Sequence, residues 1–247
     1  MAGTDENPII YPKLIMPDSV ERETVTLWSA GVPLDADIYR PKSLRPDEQL
    51  PAIVMSHGIG GDKLTAERYA ALFAEARMIA ISFTHAGWEG SRGRLLPVGD
   101  WPNRGADHSI AGAVREVREV LDPLEWVDSY RAAIDYLEGE PHVDTSRIGA
   151  WGTSFGGGTA FYSTANDDRI KALAIQDPDV FSAHPPMAAL AKQRATQIAR
   201  GEFDVTTSDD AMPGLKGIPH FARMAQFKVA EQVEFIQVPT LILDAAN

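Results

Sequence analysis

The segment that most restricts the fold is an apolar run, Arg147 to Trp151, that passes directly into Gly152-Thr153-Ser154-Phe155-Gly156-Gly157-Gly158. The apolar run reads as a buried strand, and Phe155 to Ala165 can form a helix. The chain must therefore reverse within one or two residues at Ser154. A turn that sharp brings the ends of the strand and the helix into contact. A side chain two residues before or after the serine would collide with the neighbouring helix or strand, so glycine at 152 and 156 lets the turn close and lifts the hydroxyl clear.

Short apolar runs alternate with amphipathic stretches along the rest of the chain, the pattern of parallel strands joined by crossover helices. Val25–Trp28 and Leu34–Tyr39 alternate in polarity and predict an opening antiparallel pair. Ala52–Met55 (AIVM) is continuously apolar, as a central strand covered on both faces must be. Thr65–Arg77 and Leu124–Leu137 have helical spacing, and Met78–Phe83, Ile170–Ile175 and Thr240–Leu243 read as further strands. Residues 84–122 are expected to form loop, with a short helix near Ala111–Leu121. Residues 178–233 are too long for a plain connection and contain a helical pattern at Met187–Arg200, so they are read as a cap inserted into one domain spanning 1–247.

Ser56-His57-Gly58-Ile59-Gly60-Gly61 follows the AIVM strand, where glycines allow a backbone to approach a reacting group closely. With this loop and the serine turn together, the chain resembles the α/β-hydrolase superfamily, and more narrowly its dienelactone hydrolase and Xaa-Pro dipeptidyl-peptidase-like branches. The segments carrying the likeness are VPLDADIYRP, PAIVMSHGIGG, the stretch from DPLEW through HVDTSRIGAWGTSFGGG, and VPTLILDA. The resemblance implies an α/β-hydrolase fold with a mostly parallel, doubly wound sheet. It also implies Ser154 as nucleophile and an oxyanion hole made by the backbone N–H groups of Ile59 and Phe155. The expected substrate is a small-molecule carboxylic ester or lactone, cleaved with no cofactor. Peptidase, thioesterase and acyltransferase chemistry are the enzymatic alternatives within the fold.

Triad order in this fold is serine, acid, histidine. Asp244, at the end of the TLIL strand, is a candidate acid, while the family's strand-to-acid spacing places the acid at about the first position beyond Asn247 and the histidine further on, together with the family's closing helix–strand–helix. A fragment, or a ligand-binding protein without catalysis, is therefore the non-enzymatic alternative. His85, after the Met78–Phe83 strand, is expected in the substrate pocket or in a structural role, and His57 is expected to shape its loop. His108, His142, His184 and His220 fall in loops or the cap, and Asp177, just after Ile170–Ile175, is a further acid candidate. Met187, Met212, Phe221, Met224 and Phe227 are candidates for an apolar acyl pocket or for packing the cap.

Composition excludes other chemistry. The chain has no cysteine, which removes disulfides, thiolate metal sites and a cysteine nucleophile. No histidine pair has ligand spacing, so no metal is expected. A formal net charge of −12 argues against nucleic acid and anionic membrane surfaces as partners. The absence of a long apolar stretch and of a basic, apolar leader in MAGTDENPII predicts a cytoplasmic protein.

Overall fold

The computed structural model describes residues 14–178, 185–212 and 214–244. The chain opens with the antiparallel pair β1 (Val20–Ser29) and β2 (Val32–Pro41), then enters the central strand β3 (Leu50–Ser56). A 3-10 turn at Lys63–Ala66 leads into α1 (Glu67–Glu75), which returns the chain to β4 (Ile79–Phe83). A long excursion follows, with β5 (Leu95–Pro97) paired antiparallel to β6 (Val114–Glu116), and then a short β7 (Val120–Leu121). After these come α2 (Pro123–Glu138), β8 (Val143–Thr153), α3 (Phe155–Asn166) and β9 (Ile170–Gln176). The segment between β9 and the last strand is the inserted cap region; its described part contains α4 (Pro185–Ala199), β10 (Ile218–Pro219) and α5 (Phe221–Met224). β11 (Thr240–Leu243) then rejoins the main sheet.

That sheet has the strand order β1-β2-β4-β3-β8-β9-β11, parallel from β4 to β11, with β2 antiparallel to its neighbours. Hence the carboxyl ends of β3, β4, β8, β9 and β11 share one edge, where ligand sites of such sheets form. The two sheet faces have separate cores. Ala36, Ile38, Val54, Ile81 and Ala150 pack under Tyr130, Ala133, Ile134 and Leu137 of α2, while Tyr39, Ile53, Met55 and Trp151 pack under Ala66, Ala70 and Ala74 at α1. α2 forms because its apolar residues recur at helical spacing and both ends are set. The Asp122 carboxylate accepts from Leu124 N and Glu125 N, Pro123 opens the first turn, and Gly139 ends the helix. Among the described residues no helix is long and apolar enough to cross a membrane.

One expected element is corrected. Ala111–Leu121 forms no helix; it carries β6 and β7. The Val114, Val117 and Val120 spacing suits a helix locally, but β-branched residues also suit extended backbone, and partners distant in sequence take up its hydrogen bonds. Val117 N donates to Arg94 O at 2.8 Å and Glu119 N to Gly87 O at 2.9 Å. Gly93 makes this approach possible, since a Cβ there would lie 1.9 Å from Val117 O.

Candidate active site

At the end of β8 the backbone of Ser154 adopts φ 53°, ψ −127°, a conformation that costs a non-glycine residue on the order of 1–3 kcal/mol. The turn is held on both sides: Ser154 N donates to Gln176 O at 2.9 Å, and Ser154 O accepts from Gly157 N and Gly158 N at 2.9 and 3.2 Å. Its two glycines have definite steric causes. A Cβ on Gly152 would lie 2.2 Å from Gly156 O, and one on Gly156 would lie 2.2 Å from His57 O. The first contact closes the strand onto the helix, and the second seats the helix against the loop leaving β3.

That loop also abuts the serine. A Cβ on Gly58 would come within 2.9 Å of Ser154 Cβ and 3.3 Å of its Oγ. Ile59 follows Gly58, and Phe155 is the first residue of α3, so the two expected oxyanion donors belong to the two backbone segments that meet at Ser154. Phe155 is fully buried between Trp126, at a ring distance of 5.0 Å, and Phe227 of the cap, at 5.8 Å.

The histidines on this edge face inward. His57 is buried; its Nδ1 donates to Gly58 O at 2.7 Å and its Nε2 accepts from His85 N at 3.3 Å, which shapes the loop as expected. His85 has no exposed surface, stacks on Trp126 at 3.9 Å, and pairs through Nε2 with the equally buried Ser56 Oγ at 2.7 Å. His85, expected in the pocket or in a structural role, is thus packed between Trp126 and Phe83. Among the described residues no imidazole is hydrogen-bonded to Ser154 Oγ. His142 bonds Glu48 O, His108 lies in an exposed loop, and His220 lines a cavity of about 270 Å³ with Asp122, Glu125 and Arg223. His184 lies outside the described residues.

The family model for dienelactone hydrolases matches residues 34–217, a span that takes in β2, the β3 loop, the serine turn and much of the cap. The chain belongs to the dienelactone hydrolase family. Among its relatives is the quorum-quenching protein AidA of Acinetobacter baumannii, 30% identical over 164 residues, which cover 64% of this chain and 45% of AidA. The chain thus spans less than half of that relative. A crystal structure of the hypothetical protein PA2218 from Pseudomonas aeruginosa superposes with a TM-score of 0.63 at 18% identity, covering 94% of this chain and 88% of that one. DcsB in complex with its substrate analogue gives a TM-score of 0.63 at 17% identity, covering 90% and 79%. At these identities the structural likeness establishes the fold.

In this dienelactone hydrolase family chain, the two candidate acids end adjacent strands of the same edge. Asp177 follows β9 at φ 42°, and its N–H donates to Leu243 O at 2.7 Å, next to the exposed Asp244. Ser154, Asp177 and Asp244 thus succeed one another along the ends of β8, β9 and β11. Of the residues considered for an acyl pocket, Phe221, Met224 and Phe227 are buried, and Met224 and Phe227 join the cluster around Trp88, Trp126 and Phe155. They pack the cap onto the domain rather than open a cavity. Met212 is exposed. No three metal-ligating side chains converge among the described residues.

Burial pushes the His57 imidazole down to about 4. The native state keeps this ring neutral over a range in which the unfolded chain, protonating near 6.5, takes up a proton. Stability is therefore complete above about pH 6.5 and falls as the pH drops toward 4, by about 3 kcal/mol for this group. Burial also drives His85 well below its ordinary value, in the same direction. Urea unfolding at pH 7 and pH 4.5 should show the decline, and His57→Asn, whose side-chain amide can still donate to Gly58 O, should flatten it. An identical pH dependence in the variant would dismiss His57 as a source.

Proposed function

We propose that the protein is a serine hydrolase that cleaves a small carboxylic ester or lactone through an acyl-enzyme on Ser154. Family membership supports hydrolytic chemistry of this general kind, and the observation that carries the residue assignment is the strained backbone of Ser154 with Gly58 packed against its side chain. Ser154 Oγ attacks the acyl carbonyl carbon and gives up its proton to a base. The carbonyl π electrons move onto oxygen, and the backbone N–H groups of Ile59 and Phe155 stabilise the resulting oxyanion. Collapse expels the alkoxide, which takes a proton, and water then attacks the acyl-enzyme to release the acid and restore the serine. Residues 178–233 act as a cap over this edge; Lys216 already lies against Gly60, whose Cβ would be 3.2 Å from the lysine Cδ.

A fluorophosphonate probe followed by peptide mapping tests the assignment. With a base in reach of its hydroxyl, the label is expected on Ser154, together with release of p-nitrophenol from short p-nitrophenyl esters; without one the hydroxyl is scarcely nucleophilic at neutral pH and should label poorly. A label on Ser56 would make the buried Ser56–His85 pair the working dyad and would overturn the reading. A protein that stays unlabelled and inert toward esters and lactones would instead be a ligand-binding member of the fold.

A further inference from the structure

The oxyanion loop is a glycine-rich span with few bonds of its own. Between Ser56 and Lys63 the backbone hydrogen bond it makes within itself is Gly61 N to Gly58 O at 3.1 Å, and Gly60 adopts φ 78°. The chain immediately after the loop is tied down far more heavily. Lys63 N donates to the buried Thr84 Oγ1 at 3.0 Å, and Lys63 Nζ donates to Asp35 Oδ1 and Asp37 Oδ1, each at 2.8 Å. Asp37 has no exposed surface, Lys63 is 13% exposed and Asp35 30%, so the Lys63–Asp37 arm of this ion triad is withdrawn from water while the Asp35 arm is partly exposed. Thr24 Oγ1 donates to the same Asp37 oxygen at 2.7 Å, and Arg22 Nε stands 3.7 Å from the other.

Withdrawing these charges is costly, and a hydrophobic triad would hold the sheet at least as well. Two carboxylates on one ammonium do, however, fix the position of that ammonium in three dimensions, because any drift lengthens one bond or the other. Asp35 and Asp37 are two apart on β2 and so project from one face of the strand. β2 is anchored in turn to β4, from Ala36↔Phe83 to Tyr39↔Ala80. Burial would lower the Lys63 ammonium, but its bonds to Asp35 and Asp37 outweigh this and raise it, so it stays charged.

We propose that Lys63, held between Asp35 and Asp37, is a positioning residue that sets the oxyanion loop against Ser154. This rests on the assignment of Ile59 N–H as an oxyanion donor. Ile59 lies four residues before Lys63, with Gly60, Gly61 and Asp62 between. The loop is thus suspended between the end of β3 and the lysine anchor, and loosening the anchor lets Ile59 move relative to a serine that itself stays fixed by β8 and α3.

Lys63→Met tests this by backbone amide exchange and by kinetics. Exchange at residues 58–62 should rise about tenfold or more while β8 and α3 keep wild-type protection, which marks a local loosening. Turnover of p-nitrophenyl butyrate should fall on the order of 10–100-fold, less than the loss of a whole oxyanion donor, with KM within about threefold of wild type. Asp35→Asn, at the more exposed arm, should shift both readings the same way by less, and it decides the matter if Lys63→Met does not fold. Unchanged exchange in the loop would overturn the proposal, as would exchange rising equally throughout the sheet, since the lysine would then only hold the domain together. If Ser154→Ala is as active as wild type, the hydrolase reading fails, while the exchange data still decide the anchor.

Discussion

In a form of the protein that supplies Ser154 with a general base, Ser154→Ala is expected to lose turnover of p-nitrophenyl esters by on the order of a million-fold, the scale seen when a serine nucleophile is removed from a working site. What remains is the contribution of the oxyanion donors and substrate binding. The variant should nevertheless stay folded. Ser154 is held through its backbone, with Gln176 O accepting from its N–H and Gly157 and Gly158 donating to its carbonyl, and alanine retains all of these bonds. Its melting temperature should therefore match the wild type. Ser154→Gly, equally inactive, should melt higher than Ser154→Ala, because glycine adopts φ 53° without the penalty that any Cβ incurs there. A Ser154→Ala variant within about tenfold of wild-type turnover would remove Ser154 from the mechanism.

The second large effect is expected at Gly156. Alanine there places Cβ 2.2 Å from His57 O and 2.7 Å from Ser56 O, both backbone oxygens of the chain leaving the central strand. No rotamer relieves this contact, so either α3 or the oxyanion loop must shift as a body. The cost should be about 3 kcal/mol or more in urea unfolding, at the upper end of overpacking penalties. Activity should fall more than stability, since the displaced segments carry Ser154 and Ile59. Gly149→Ala is the matched control in β8. Its nearest neighbours would lie 3.7 Å away, ordinary contact, and the variant should remain within about 1 kcal/mol of wild type. Equal stability of Gly156→Ala and Gly149→Ala would refute the steric account of the glycine spacing.

The wild-type contacts at Gly152 and Gly156 explain why so much of this site is legible in the sequence. A reversal from strand to helix at Ser154 demands small residues at fixed offsets, and those offsets lie within five residues of chain. The strands AIVM and IAISF and the helix at 123–138 are legible for a similar reason, since a continuous apolar run marks a strand covered on both faces and helical apolar spacing marks the buried face of a helix; TLIL is legible from its apolar run although its side chains are exposed. The Lys63 anchor is only half written there. Asp35 and Asp37, alternating within the largely apolar β2, place two carboxylates on one face of a strand whose other face is core, and a buried charge of that kind requires a cation. Which cation answers is a matter of packing, because Lys63 stands more than twenty residues away in the chain.

By itself, then, the sequence determined the order of strands and helices, the turn at Ser154 and the glycine loop after β3, because each depends on the chemistry of a few neighbouring residues. Tertiary structure alone decided that His85 stacks beneath Trp126, that Ala111–Leu121 extends along Gly87 and Gly93 rather than coils, and that Lys63 meets Asp35 and Asp37. Each of these outcomes depends on which distant segments pack together. Local propensities of a few tenths of a kcal/mol per residue give way to the burial of an aromatic stack, a ladder of backbone hydrogen bonds or an ion pair withdrawn from water.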